Sequence, residues 1–283
     1  GLAAAQQLNR AGHSVTVFEK ADKVGGLLRY GIPEFKLEKH VIDRRVDLMK
    51  EEGIKFKTSS HVGVNVEVEK LRREFDVILL TGGAEHPRDL NVPGRHLNGV
   101  HFAMEFLPQA NRRAVGDAVT GEQILATGKK VLVIGGADTG ADCLGTSIRQ
   151  GCSDIKMWEL LPQPTNERPA NQPWPLYPRI LRVESAHEEW SPDCRDYSIM
   201  TTRLIGDDQG NVKQLEAVRV GPAPKFEPIP GSEFTIDVDL VLLALGFLGP
   251  VKGGMLEQFG VELDQRGNVA TSNYATSVPG IFL

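Results

Sequence analysis

A chain of 283 residues, 41% hydrophobic and 24% charged, has the ordinary composition of a folded globular protein and length enough for one large or two medium domains. Its 32 Lys and Arg against 37 Asp and Glu leave a net charge of −5 without a long basic run, which argues against nucleic acid or an anionic membrane as partner. There is no uninterrupted apolar stretch of bilayer length and no signal-peptide pattern at the start, so a cytoplasmic protein is expected. Cys143, Cys152 and Cys194 share no C-x-x-C spacing and imply neither a disulfide framework nor a metal site.

Residues 1–12 read as a helix with Leu2, Ala5 and Leu8 on one stripe and Gly12 as its stop. A parallel β-α-β unit needs a strand before that helix. The expectation is therefore that the chain begins after a cut, with Gly1 the last glycine of a lost G-x-G-x-x-G turn. The strand-like S-V-T-V-F closes on Glu19, and Gly25, Gly26, Gly31 and Pro33 then mark an irregular loop whose backbone can approach a flat ligand. Residues 37–53 form an expected amphipathic helix with Val41, Val46 and Met49 toward the core. A buried strand over 75–80 runs into T-G-G-A. The polar segment 86–95 reads as a domain connection, and 100–113 as a helix.

Residues 129–143, K-K-V-L-V-I-G-G-A-D-T-G-A-D-C, predict a strand, a tight glycine turn and a helix start. Such a turn aims backbone N–H groups and the positive helix end at a pyrophosphate. Gly135 and Gly140 stand at the first and last glycine positions, while Ala137 occupies the middle one. Cys143 falls in the first turns of that helix, where a thiol pKa can be lowered; a packed neutral thiol is the favoured expectation.

The unit occurs twice. From Gly140 there are 11 positions to Gly151 and 19 to Glu159; from Gly1 there are 11 to Gly12 and 18 to Glu19. An acid about 20 residues beyond a glycine turn suits a ribose hydroxyl, so two copies imply two dinucleotides.

Beyond Glu159 the prolines at 162, 164, 169, 173, 175 and 178 exclude a helix interior or central strand. The resulting loop carries Trp174 and Tyr177 and could cover a cofactor, meet a partner or be a plain surface excursion. His187, Glu188 and Glu189 lack a second histidine at helical spacing, so no metal site is expected there. Residues 200–204, 212–220 and 234–238 suggest an antiparallel meander, 239–247 a buried strand, and 256–260 a short helix.

Several segments together resemble the small (beta) subunit of bacterial glutamate synthase: G-L-A-A-A-x-x-L-x-R-A-G-H-x-V-T-V-F-E, G-G-L-L-R-Y-G-I-P-x-F-K-L, T-G-G-A-x-x-P-R-D-L, G-G-x-D-T-G-x-D-C, E-L-L-P-x-P and L-L-A-L-G-F. The resemblance covers nearly the whole chain. It implies an α/β fold of two Rossmann-like dinucleotide-binding domains, glutathione-reductase-like, with the nicotinamide domain inserted in the FAD domain. The expected divisions are 1–113 and 247–283 for FAD and 114–246, with the meander, for NAD(P)H. Gly1, Glu19, Lys20, Gly26, Leu27, Lys36 and Val62 would then serve FAD. Gly135, Gly136, Ala137, Asp138, Thr139, Gly140 and Glu159 would hold the nicotinamide cofactor, with Ala244, Leu245 and Gly246 nearby.

The implied reaction is hydride transfer from NADPH or NADH to FAD. Electrons then pass through iron–sulfur centres, expected only in the family's N-terminal region, to the large (alpha) subunit, where 2-oxoglutarate and glutamine yield glutamate. Such transfer depends on ring alignment and exclusion of water, so no catalytic acid or base is assigned. Glu159 argues for NADH and the resemblance for NADPH; Arg149, Lys156 and Arg168 could reverse the electrostatic preference if they converge. The alternatives are a related reductase feeding another acceptor, like the input half of a pyrimidine-reducing dehydrogenase, and a non-catalytic assembly module of the same fold.

Overall fold

The computed structural model describes residues 1–190 and 192–283. The chain divides into two compact units, the first of 1–30, 34–88 and 247–283, the second of 31–33 and 89–246. The first unit begins with α1 (Leu2–Arg10), β1 (Thr16–Phe18), α2 (Leu27–Tyr30), α3 (Lys39–Glu51), β2 (Lys55–Lys57), α4 (Val68–Glu74), β3 (Ile78–Leu79) and β4 (His86–Pro87). The second contains β5 (Val100–Phe102), α5 (Ala103–Ala114), β6 (Lys130–Ile134), α6 (Asp138–Arg149), β7 (Asp154–Glu159), α7 (Ser185–Glu188) and β8 (Arg195–Tyr197). It continues through β9 (Ile199–Gly206), β10 (Val212–Arg219), β11 (Phe234–Asp237) and β12 (Leu240–Leu243). The first unit is completed by β13 (Phe247–Gly249), α8 (Met255–Phe259) and β14 (Ile281–Phe282).

In the second unit a five-stranded parallel sheet runs β5-β12-β6-β7-β8. Its central strands are apolar on both faces because both are covered. Val131, Val133, Ile155, Met157, Leu240 and Leu242 pack with Phe106, Leu107, Cys143 and Leu144 of α5 and α6. The alternate residues Leu132, Ile134, Trp158, Val241 and Leu243 pack with Leu204, Val212, Leu215 and Ala217 of the antiparallel β11-β10-β9 meander. Trp158 meets Phe234 edge to face at 5.4 Å, tying sheet to meander.

The first unit carries two parallel pairs, β1-β2 and β3-β14, and one antiparallel pair, β13-β4. Ala5, Met49 and Ile54 join α1 and α3 to the β1-β2 pair, while Val68, Leu71, Leu80, Leu256 and Ile281 build a second core around α4 and α8.

Three expectations are corrected. The first stretch of the first unit ends at Arg88 instead of 113, because β5 pairs in parallel with β12 and carries α5 with it. Residues 100–102 are accordingly strand, and the helix starts at Ala103. On α3 the buried stripe is Ile42, Val46 and Met49, with Val41 38% exposed. Steps of four and three keep one helical face, whereas the step of five from 41 to 46 leaves it.

Leu242 is fully buried between α5 and β6, so Leu242→Ala is expected to cost about 3 kcal/mol. Urea denaturation checks this, and a loss under about 1 kcal/mol would contradict the packing described.

Candidate functional site

The sheet of the second unit reverses its winding between β6 and β12, since β6 leads on to β7 on one side while β12 lies on the other. In open α/β sheets, ligands bind beyond the carboxyl ends of the strands at such a switch point. Two backbone segments cross there at close quarters. Gly135 has φ +122° and a Cβ on it would collide with the Ala244 carbonyl oxygen; a Cβ on Gly140 would collide with the Gly135 carbonyl oxygen. Ala244 N–H donates to Ile134 O at 2.8 Å, and Gly135 N–H to Trp158 O at 2.8 Å. The turn therefore admits no side chain at its first and last glycines.

Ala137 is the N-cap of α6 and supplies no capping side chain. The first-turn amides of a 12-residue helix thus have no side-chain acceptor from that position, and the positive helix end faces outward at an exposed stretch, 136–138. Glu159 closes β7 with Oε2 2.9 Å from Gly136 N and Oε1 3.2 Å from Leu161 N. Gly135 to Gly140, Glu159 and the strand exit Ala244, Leu245 and Gly246 consequently share one sheet edge. This cradle fits the pyrophosphate and ribose of a dinucleotide by its lack of Cβ atoms and its donor set.

The first unit repeats the local geometry. In α1 the bonds Ala11 N–H to Gln7 O, Gly12 N–H to Asn9 O and His13 N–H to Leu8 O end the helix at a left-handed glycine, φ +98°. In α6 the bonds Gln150 N–H to Thr146 O, Gly151 N–H to Ile148 O and Cys152 N–H to Ser147 O do the same, φ +77°. Glu19 follows β1 directly and, like Glu159, accepts the amide two residues on, Ala21 N, at 2.9 Å.

Gly1 is the N-cap of α1, and a Cβ there would stand 2.9 Å from Thr81 Oγ1 at the T-G-G-A exit. Ser60 N–H donates to Glu19 O at 2.9 Å, which brings the segment preceding Val62 beside that strand end. Lys20 pairs with Glu85. Gly26 has φ +51° ahead of α2, Leu27 is 60% exposed on α2, and Lys36 is exposed in the approach to α3.

The three cations considered for a ribose phosphate do not converge. Arg149 forms a two-pronged pair with Glu189 at 2.7 and 2.9 Å, Lys156 pairs with Asp154 at 3.0 Å, and Arg168 Nη1 donates to Gln172 O and Leu176 O, both at 2.8 Å. Those last bonds shape the proline-rich loop, whose base closes at the Thr165–Ile180 bridge. Trp174 and Tyr177 project outward, 83% and 71% exposed, with the Arg182 guanidinium 4.1 Å from the Tyr177 ring. The Gly136–Glu159 contact escaped the sequence reading, although glycine at a position the motif leaves open was its signal.

Among the described residues no cluster of three or more His, Cys, Asp or Glu could hold a metal, and no helix is long and apolar enough to cross a membrane. Cys143 is fully buried; burial, reinforced by the charge of Asp142, pushes its thiol well above the usual range. Burial likewise pushes Cys194 up to about 11.

A glycine turn at the switch point of an all-parallel sheet with an acid closing the next strand, and a helix, strand and acid of matching spacing in the first unit, define the class of dinucleotide-binding domains. The pyridine nucleotide-disulphide oxidoreductase family model matches residues 1–173, and the chain belongs to that family. It is 52% identical, over its whole length, to the glutamate synthase (NADPH) small chain of Mycobacterium tuberculosis, and spans 59% of that relative. It is 46% identical, again over its whole length, to 14% of the glutamate synthase (NADH) of Schizosaccharomyces pombe. The fold is shared with Mycobacterium tuberculosis FprA in complex with NADPH, at TM-score 0.68 and 15% identity over 99% of this chain and 75% of that one.

With Cys143 protonated and enclosed, a thiol reagent at mildly alkaline pH is expected to leave it unlabelled in the native protein. After unfolding, all three free cysteines should react. Mass spectrometry of the labelled peptides checks this, and rapid native labelling of Cys143 would contradict its burial.

Proposed function

We propose that the chain is the nucleotide-handling part of an electron-input subunit of glutamate synthase, acting in the cytoplasm and passing hydride from a reduced nicotinamide cofactor to FAD. The observation that carries this reading is the glycine turn at the second unit's switch point, together with a helix, strand and acid of matching spacing in the first unit. Likeness to the Mycobacterium tuberculosis relative supports NADPH, and likeness to the Schizosaccharomyces pombe relative supports NADH. Both relatives are named glutamate synthase, which supports electron delivery, through iron–sulfur centres, to a large subunit that makes glutamate from 2-oxoglutarate and glutamine.

FAD, when bound, supplies a two-electron acceptor able to give up its electrons singly. In the second unit the amides at the start of α6 would bind the nicotinamide cofactor's pyrophosphate, with Ala137, Asp138 and Thr139 presenting them and Gly135, Gly136 and Gly140 leaving room. Ala244, Leu245 and Gly246, leaving β12, would line the way toward the nicotinamide. In the first unit Gly1 would meet the FAD pyrophosphate and Glu19 an adenosine ribose hydroxyl, with Lys20 beside it. Val62 would reach the adenine through its backbone, and Gly26, Leu27 and Lys36 would lie along the flavin. No proton-transfer group is required, because hydride transfer depends on ring alignment and exclusion of water.

Anaerobic mixing of the purified yellow protein with NADPH or NADH tests the reading. Bleaching of the flavin absorbance by at least one cofactor is expected, and a colourless protein, or one that neither cofactor bleaches, would refute it. Gly140→Ala, which drives a Cβ into the Gly135 carbonyl, is expected to weaken nicotinamide-cofactor binding by tenfold or more, about the loss of one charge-assisted hydrogen bond. Fluorescence titration reads that change.

A further inference from the structure

Glu159 does not stand free at the end of β7. Its Oε2 accepts Gly136 N–H at 2.9 Å and its Oε1 accepts Leu161 N–H at 3.2 Å. The side chain lies over Gly136: a Cβ at position 136 would stand 2.9 Å from Oε2 and 3.2 Å from the Glu159 Cβ. The φ of Gly136 lies outside the left-handed region, so its need is for space and not for a left-handed backbone. That contact gives a physical reason for glycine where G-x-G-x-x-G leaves the residue open.

Two consequences follow for a ligand at this edge. The clamp joins the end of β7 to the turn between β6 and α6, which fixes the turn before any nucleotide arrives. The carboxylate also meets two N–H dipoles, which oppose its field toward a third group. Of the cations considered for a ribose phosphate, Arg149, Lys156 and Arg168 are each bonded elsewhere.

Resting on the reading of the second unit as the nicotinamide-cofactor site, we propose that Glu159 is a positioning residue. It clamps the glycine turn through Gly136 and, held there, admits a nicotinamide dinucleotide with or without a ribose 2′-phosphate. Its role is to order the pyrophosphate turn, and it is not the ribose selector that its sequence position suggests.

The test pairs two variants with two readouts on the purified protein: amide hydrogen exchange at Gly136 without nucleotide, and dissociation constants for NADPH and NADH. Glu159→Ala removes both acceptor oxygens, so exchange at Gly136 should accelerate about tenfold, the worth of one hydrogen bond. Both dissociation constants should rise together, their ratio staying within about twofold, because no charge selection has been removed. Gly136→Ala displaces the carboxylate from the turn and frees its charge. NADPH should then weaken about fivefold or more relative to NADH, as expected of an unshielded like charge.

Unchanged exchange in Glu159→Ala would overturn the clamp. A shift of its affinity ratio toward NADPH by about tenfold or more would mark Glu159 as a ribose selector, and an unchanged ratio in Gly136→Ala would overturn the shielding. If the unmodified protein binds neither dinucleotide, the functional reading fails, while the exchange arm still decides the clamp.

Discussion

The close passage of the β6 exit over the β12 exit is the constraint on which the rest of the second unit depends. Gly135 lies against the Ala244 carbonyl and Gly140 against the Gly135 carbonyl, so neither position tolerates a Cβ. That proximity needs β6 and β12 as neighbours in one parallel sheet, which in turn needs apolar residues on both faces of both strands. Helices α5 and α6 cover one face and the meander the other. The site is thus a consequence of how the core is closed, and the turn can be tight because the strands beneath it are rigidly packed.

The duplicated helix ends give the same logic at atomic scale. The three-bond ending around a left-handed glycine is common to α1, α3, α5 and α6, and what α1 and α6 share beyond it is a following strand that delivers a glutamate accepting the amide two residues on. Few side chains are common to the two copies. What recurs is backbone geometry at the helix end and at the strand end.

Much of this was legible in the sequence because the informative signals are local. An apolar β-branched run before G-G-A-D-T-G can be little other than a buried strand and turn, and glycine stops mark both helix ends. The illegible parts depend on tertiary pairing. Arg195–Tyr197 is a strand through its pairing with β7, not through any apolar run of its own. Residues 100–102 read as helix because their apolar side chains merge with those of α5, and the division at Arg88 follows from that pairing. The inward turn of Glu159 onto Gly136 is a rotamer choice, and Trp174 and Tyr177, whose apolar rings suggested cover, stand on a loop braced from within by Arg168.

Two nucleotide sites, one in each unit, are the central proposal, and the most direct measurement of it is hydrogen exchange of the purified protein with and without ADP-ribose, the half of a dinucleotide that carries ribose and pyrophosphate. Protection is expected at two separate sets of amides, 135–141 with 159–161, and 1–5 with 19–21. Protection confined to one set, or lying away from both, would contradict it.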